Sequence, residues 1–171
     1  VYDGIVDSNN TISVHTLKKI GLEYAFNFAS EKFRIDGLIR EQQTESGRAI
    51  SDIGYAPLGL GALTFGVSVE DMANAYATFP NGGVYREART YTKVYDSDGN
   101  LILDNTQESE KILSDKANKY INYCLRGVVK NNSSVQLKAT AAAGKTGTTS
   151  DARDRWFCGY TDFYTMAVWC G

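Results

Sequence analysis

The sequence is poor in the residues from which metal centres are built. It has one histidine, His15, and three cysteines, Cys124, Cys158 and Cys170. The cysteines lack Cys-x-x-Cys spacing, so with a single histidine they outline no zinc site. Their number is odd, and a turn centred near Phe163 sets Cys170 opposite Trp156 rather than Cys158; all three are therefore read as free thiols. Neither sign of charge is in excess: 18 Lys and Arg against 20 Asp and Glu leave a net charge of −2. Without a basic surplus to hold a phosphate backbone, a nucleic-acid partner is not expected. No apolar run approaches the ~20 residues that a membrane-spanning helix needs. Internal repeats and low-complexity tracts are lacking too, and 43% hydrophobic with 22% charged residues excludes a disordered or collagen-like chain.

What is present is enough for one ordinary domain. At 171 residues, folding should bury roughly 70% of the surface that the unfolded chain exposes. The chain opens on Val1 rather than Met and stops at Gly171 directly after an apolar strand pattern. The expectation is a piece of a longer protein, with any targeting or anchoring segment outside it.

Periodicity organises the chain into helices followed by a terminal antiparallel meander, an α+β class. Ile12, Leu17 and Ile20 predict a first helix stopped at Gly21, and Leu22, Ala25, Phe26, Ala29 and Phe33 a second. Residues 36–66 are Gly-rich and read as a long structured loop, which in a compact domain is more often functional than idle. Ser68 opens a helix carrying Met72, Ala75, Tyr76 and Phe79, ended by Pro80-Asn81-Gly82-Gly83. Tyr91–Tyr95 and Leu101–Leu103 form a hairpin across Asp96–Asn100. Ser114 caps a helix with Ala117, Ile121, Cys124, Leu125 and Val128 on one face. Ala139–Thr149 is small and β-tolerant, a polar loop follows to Arg155, and 156–160 and 165–169 read as two paired strands.

Two local patterns could carry chemistry. In Lys145-Thr146-Gly147-Thr148-Thr149, a compact cation sits beside hydroxyls able to donate to a carboxylate. Gly147 removes the side chain that would keep a ligand backbone off the strand. The Thr148 N–H just after it could serve as an oxyanion donor. Lys145 and Thr146 alternate in direction, so both reach one groove only if the strand lies at its rim. The same run can be a Thr-rich strand with a solvated lysine. Ser8-Asn9-Asn10, ahead of the first helix, offers a hydroxyl and an amide for proton relay and substrate holding; it can equally be a helix cap and an Asx turn.

Taken together, Ser8-Asn9-Asn10 and Lys145-Thr146-Gly147 match two of the motifs that serine β-lactamases and penicillin-binding proteins share. The chain resembles the C-terminal part of the transpeptidase domain of a bifunctional (class A) penicillin-binding protein. The resemblance extends through Gly66–Phe79, Asn81–Tyr85, Ala143–Thr149, Trp156–Thr161 and Ala167–Gly171, nearly the whole chain in the family's order. The departures are Pro80, where the family usually has a small residue, Cys158 and Cys170, where it usually has aliphatics, and the lack of any Ser-x-x-Lys.

The resemblance implies a serine β-lactamase/D,D-peptidase-like fold, an antiparallel sheet packed with helices, of which residues 1–171 are a portion. It implies a serine D,D-transpeptidase that cross-links peptidoglycan stem peptides ending in D-Ala-D-Ala and is acylated by β-lactams. The nucleophilic serine would come from an upstream part of the same protein, and an upstream anchor would hold the domain at the extracytoplasmic face of the bacterial membrane. A glycosyltransferase domain is expected upstream as well. Ser8, Asn10 and Lys145 would be catalytic; Thr146, Gly147, Thr148 and Thr149 would bind substrate, with no metal or organic cofactor. The alternative is a penicillin-sensing domain of the same fold that does not turn over. His15 is expected on a helix surface, the Asp151–Arg155 run as a solvated loop or an acceptor contact, and Tyr55 and Tyr160 as packing residues or cleft neighbours.

Overall fold

Helices α2 (Asn10–Ile20), α5 (Val69–Ala77) and α6 (Asp115–Asn131) begin on side-chain caps that the sequence supplies. The structure, a computed structural model, describes residues 1–136 and 140–171. Helix α2 (Asn10–Ile20) is capped by the Asn9 side chain, which accepts from the Ile12 N–H at 3.1 Å, and stops at Gly21. Helix α3 (Leu22–Asn27) runs on through one wide π-turn at Phe28–Lys32. Helix α5 (Val69–Ala77) opens on Ser68, whose hydroxyl accepts from the Asp71 N–H at 2.9 Å, and α6 (Asp115–Asn131) opens on Ser114 in the same way. Each cap satisfies an amide that the helix itself leaves unpaired.

Six elements lie outside the expected set. Helix α1 (Tyr2–Val6) precedes α2. The Gly-rich segment 36–66 is not one loop: it contains a two-residue hairpin, β1 (Gln42–Gln43) with β2 (Ala49–Ile50), and helix α4 (Tyr55–Leu60). Pro57 is compatible with α4 because it sits in the first turn, where no intrahelical donor is required. Strands β3 (Val84–Arg86) and β6 (Ser109–Lys111) also pair antiparallel. The expected hairpin forms as β4 (Lys93–Tyr95) and β5 (Leu101–Asp104), with Asp96 accepting from three donors of its own turn.

The meander is β7 (Ala143–Thr148), β8 (Arg155–Tyr160) and β9 (Thr165–Cys170), an antiparallel sheet in sequence order. Ala139, where the sequence pattern begins, lies outside the described residues. The turn places Cys170 opposite Arg155, one residue from the expected Trp156, and Cys158 opposite Ala167. All three cysteines are free thiols.

The core forms where α6 meets β7 and α5 meets β8 and β9. Leu125, Ala143 and Tyr160 are its buried centre, with Ile5, Tyr76, Phe79 and Ile121 packed around them. An edge-to-face run of Phe28, Phe33, Phe79 and Tyr76 extends it toward α3. One polar link crosses this core. Tyr160 donates to Asn122 Oδ1 at 2.7 Å, while Asn122 Nδ2 donates to the carbonyls of Phe79 and Asn118.

Candidate active site

The turn between α1 and α2 gives Ser8 its position. Ser8 has a φ of 52°, in the left-handed region that side chains seldom occupy. It is held there by two bonds, from its own N–H to the Ile5 carbonyl at 3.3 Å and from the Asn9 N–H to the Gly4 carbonyl at 2.8 Å. Gly4 lets the two helices approach this closely, since a Cβ there would lie 2.5 Å from Ile12 Cγ2. Asn9 takes up the capping role, leaving the side chains of Ser8 and Asn10 exposed at the mouth of α2.

Lys145 comes to the same point from the sheet. It lies on β7, whose only strand partner among the described residues is β8, so the strand is an edge of its sheet. Its Nζ donates to the Ser8 hydroxyl and, at 2.7 Å, to the Thr146 carbonyl. The ammonium is half-buried, and loss of water holds its pKa below the ordinary lysine value of 10.5. Beside it across the ladder stands Cys158, whose thiol burial pushes up to about 11.

The edge strand borders a cavity of about 870 Å3. All five residues from Lys145 to Thr149 line it, Lys145 and Thr146 included, as a strand at the rim allows. Gly147 is exposed, and a Cβ there would meet only Trp156 Cβ, at an ordinary 3.5 Å. The protein's own packing therefore does not require glycine at this position.

The cavity's other wall is not Ser8–Asn10. Among the described residues it is built chiefly by 57–69, from the segment the sequence marks as a functional loop, with Ala29, Ile35, Leu38, Met72 and Tyr76 behind it. Ser8 and Asn10 stand beyond the cavity lining, and Ser8 joins it through Lys145. Two side chains, Ser13 and Asp52, fix the 57–69 wall. Ser13 of α2 donates to the Gly59 carbonyl at 2.6 Å. Asp52, fully buried, accepts from the Ile39 N–H, the Thr64 N–H and the Thr64 hydroxyl at 2.7–2.9 Å.

Asp154, from the run expected as a solvated loop or an acceptor contact, and Trp169, expected only as a strand residue, also line the groove. Asp154 closes the β7–β8 turn, whose residues Ala152 and Arg153 are exposed, by accepting from the Thr149 hydroxyl at 3.2 Å and from Trp169 Nε1 at 2.9 Å. The one available signal was Thr149 followed five residues later by Asp154, a spacing suited to a side-chain-closed turn. His15 is exposed on α2 and does not line the cavity; Tyr55 is exposed and Tyr160 belongs to the core. Among the described residues, no group of three or more His, Cys, Asp or Glu side chains is placed to hold a metal ion. No helix among them is long and apolar enough to cross a membrane.

Residues 2–169 match the family described as penicillin binding protein transpeptidase domain. Penicillin-binding protein 1A of Clostridium botulinum is 37% identical over 175 aligned residues, covering all of this chain and 20% of that protein. Penicillin-binding protein 4 of Bacillus subtilis is 32% identical, covering 96% of this chain and 25% of its own length. The chain thus spans about a fifth to a quarter of the curated relatives it matches. In fold it is similar to PonA1 from Mycobacterium tuberculosis, solved in complex with penicillin V. The TM-score is 0.79 at 21% identity, over 99% of this chain and 46% of that one.

Proposed function

The chain belongs to the penicillin-binding protein transpeptidase family, and on that footing we propose that it forms one side of a serine D,D-transpeptidase site within a longer protein. The observation that carries this reading is the bond from Lys145 Nζ to the Ser8 hydroxyl at the rim of the groove. It joins the two sequence patterns, each of which has an ordinary structural use when alone.

The nucleophile is a serine of a Ser-x-x-Lys segment elsewhere in that protein. Its Oγ attacks the carbonyl carbon between two terminal D-alanines, the C–N bond breaks, and D-alanine leaves with the serine's proton. The amine of a neighbouring stem peptide then attacks the ester, forming the cross-link and returning the proton to the serine oxygen. A β-lactam is the acylating substitute whose leaving group stays tethered.

Ser8 relays the proton toward the departing amine, poised by Lys145. Lys145 adds positive potential at the anionic end of the substrate, in a setting dry enough to make that charge felt. Asn10 holds the substrate's backbone carbonyl and the lysine of the missing segment. Thr146 and Thr148 bind the terminal carboxylate, and the Thr148 N–H donates to the oxyanion. Gly147 leaves room for the substrate backbone, which fits its lack of a packing role. Thr149 frames the groove by its backbone, because its hydroxyl is engaged with Asp154.

A segment outside this chain anchors the domain at the outer face of the bacterial membrane, where peptidoglycan stems are available. The test is to treat the full-length protein with a fluorescent penicillin and then with a D-Ala-D-Ala depsipeptide donor and an amine acceptor. Covalent labelling together with acyl transfer is expected. Labelling without transfer identifies a sensor instead, and an absence of labelling contradicts the proposal.

A further inference from the structure

We propose that Asp154 is a positioning residue that sets the far end of the Lys145–Thr149 strand for acylation, an inference that rests on the transpeptidase reading above. The β7–β8 ladder ends at the pair Thr148–Arg155. Beyond it, Thr149, the neighbour of the Thr148 amide expected to donate to the oxyanion, has no partner in the ladder. Asp154 replaces the ladder there. The Thr149 N–H donates to the Asp154 carbonyl at 3.1 Å, and the Asp154 N–H donates to the Thr149 hydroxyl at 2.9 Å. That hydroxyl in turn donates to Asp154 Oδ2.

The other carboxylate oxygen reaches across the sheet. Oδ1 accepts from Trp169 Nε1 on β9, so one side chain ties the end of β7 to the third strand. Gly171 packs closely against one side of the Trp169 ring: a Cβ there would lie 2.6 Å from the ring and 2.7 Å from the Arg153 carbonyl. Asp154 and Trp169 both line the groove beside Thr146–Thr149. With Oδ2 accepting from a hydroxyl and Oδ1 from an indole, the carboxylate is held at both ends, as a geometric clamp is. Slackening the clamp lets the Thr148 N–H drift from the oxyanion position, and displacements of about 1 Å at such a point can cost 10²-fold in rate.

The experiment compares wild type, Asp154→Ala, Asp154→Asn and Trp169→Phe in the full-length protein. Stopped-flow labelling with a fluorescent penicillin separates the reversible binding constant from the acylation rate constant. D154A is expected to lower the rate constant at least about tenfold with the binding constant little changed. D154N still accepts from Trp169 and can donate to the Thr149 hydroxyl, so it should recover most of the rate. A merely structural role would lower the labelled fraction and leave the rate of the folded fraction alone. If D154A fails to fold, W169F decides: a fall of about threefold or more in the rate constant supports the clamp, and an unchanged one overturns it. Wild-type acylation with D154A within twofold of it overturns the clamp while sparing the transpeptidase reading. Failure of the wild type to be labelled overturns both.

Discussion

The ammonium of Lys145 donates to the hydroxyl of Ser8 across a separation of 137 residues. One partner stands in a left-handed turn between two helices, and the other on the edge strand of a sheet. Neither element dictates the other's position locally, so the contact depends on the helical layer and the sheet being packed together.

The turn that presents Ser8 depends on Gly4. Gly4→Ala places a methyl against Ile12 and forces α1 away from α2, at a cost of about 1–3 kcal/mol. Penicillin acylation of the full-length protein should fall by roughly 10²-fold as Ser8 moves. The double variant Gly4→Ala/Ile12→Ala should regain part of that loss. A G4A protein acylating at the wild-type rate would show that the turn does not matter.

Gly147 faces the groove without a packing obligation. Gly147→Val should therefore melt within a few degrees of the wild type while losing penicillin acylation by about 100-fold or more, through obstruction of the groove. Unchanged labelling would remove this strand from the substrate path.

Burial lowers the pKa of Lys145, and the sign of its effect on pH dependence follows. The folded protein releases this proton at a lower pH than the unfolded chain does. Its contribution to folding stability therefore rises with pH between the depressed value and 10.5. Acylation that needs the cation falls over the same window. The alkaline limb of the acylation–pH profile is expected below 10.5, and Lys145→Arg, which stays protonated, should lack it. A wild-type limb at or above the ordinary lysine value would contradict the assignment.

Beneath the site, the Tyr160–Asn122 bond ties the sheet to α6 and to the carbonyl of Phe79. Tyr160→Phe should cost roughly 1 kcal/mol of stability. Asn122→Ala, which also strands the Phe79 carbonyl, should cost about 2–3 kcal/mol. Urea unfolding of this domain in the full-length protein measures both.

Elements with their own caps and periodicity were legible in the sequence. Ser68 and Ser114 mark helix starts by side chains that bond the first free amides, and Gly21 marks a stop. The β7–β9 meander was legible from its β-tolerant and apolar runs around a turn, although the register slipped by one residue because the Thr161–Tyr164 turn is closed by backbone and hydroxyl bonds that composition does not count. Strands β3 and β6 were hidden because each is three residues long and owes its strand state to a partner far along the chain. Helix α4 was masked by its own glycines and proline. The Lys145–Thr149 wall could be named from residue types. The opposite wall was legible only as the Gly-rich segment 36–66 suited to function; its placement against the strand was not, because Asp52 holds it by burying a carboxylate against amides, and no spacing rule announces such a contact.

The most direct test of the account is a double-mutant cycle on Ser8 and Lys145. Second-order acylation by a fluorescent penicillin is measured for the full-length wild type, Ser8→Ala, Lys145→Ala and the double variant. If the two side chains work as one unit, each single change removes at least about 10²-fold and the double loses little more than the worse single. Losses that multiply independently, or singles that acylate like the wild type, would contradict it.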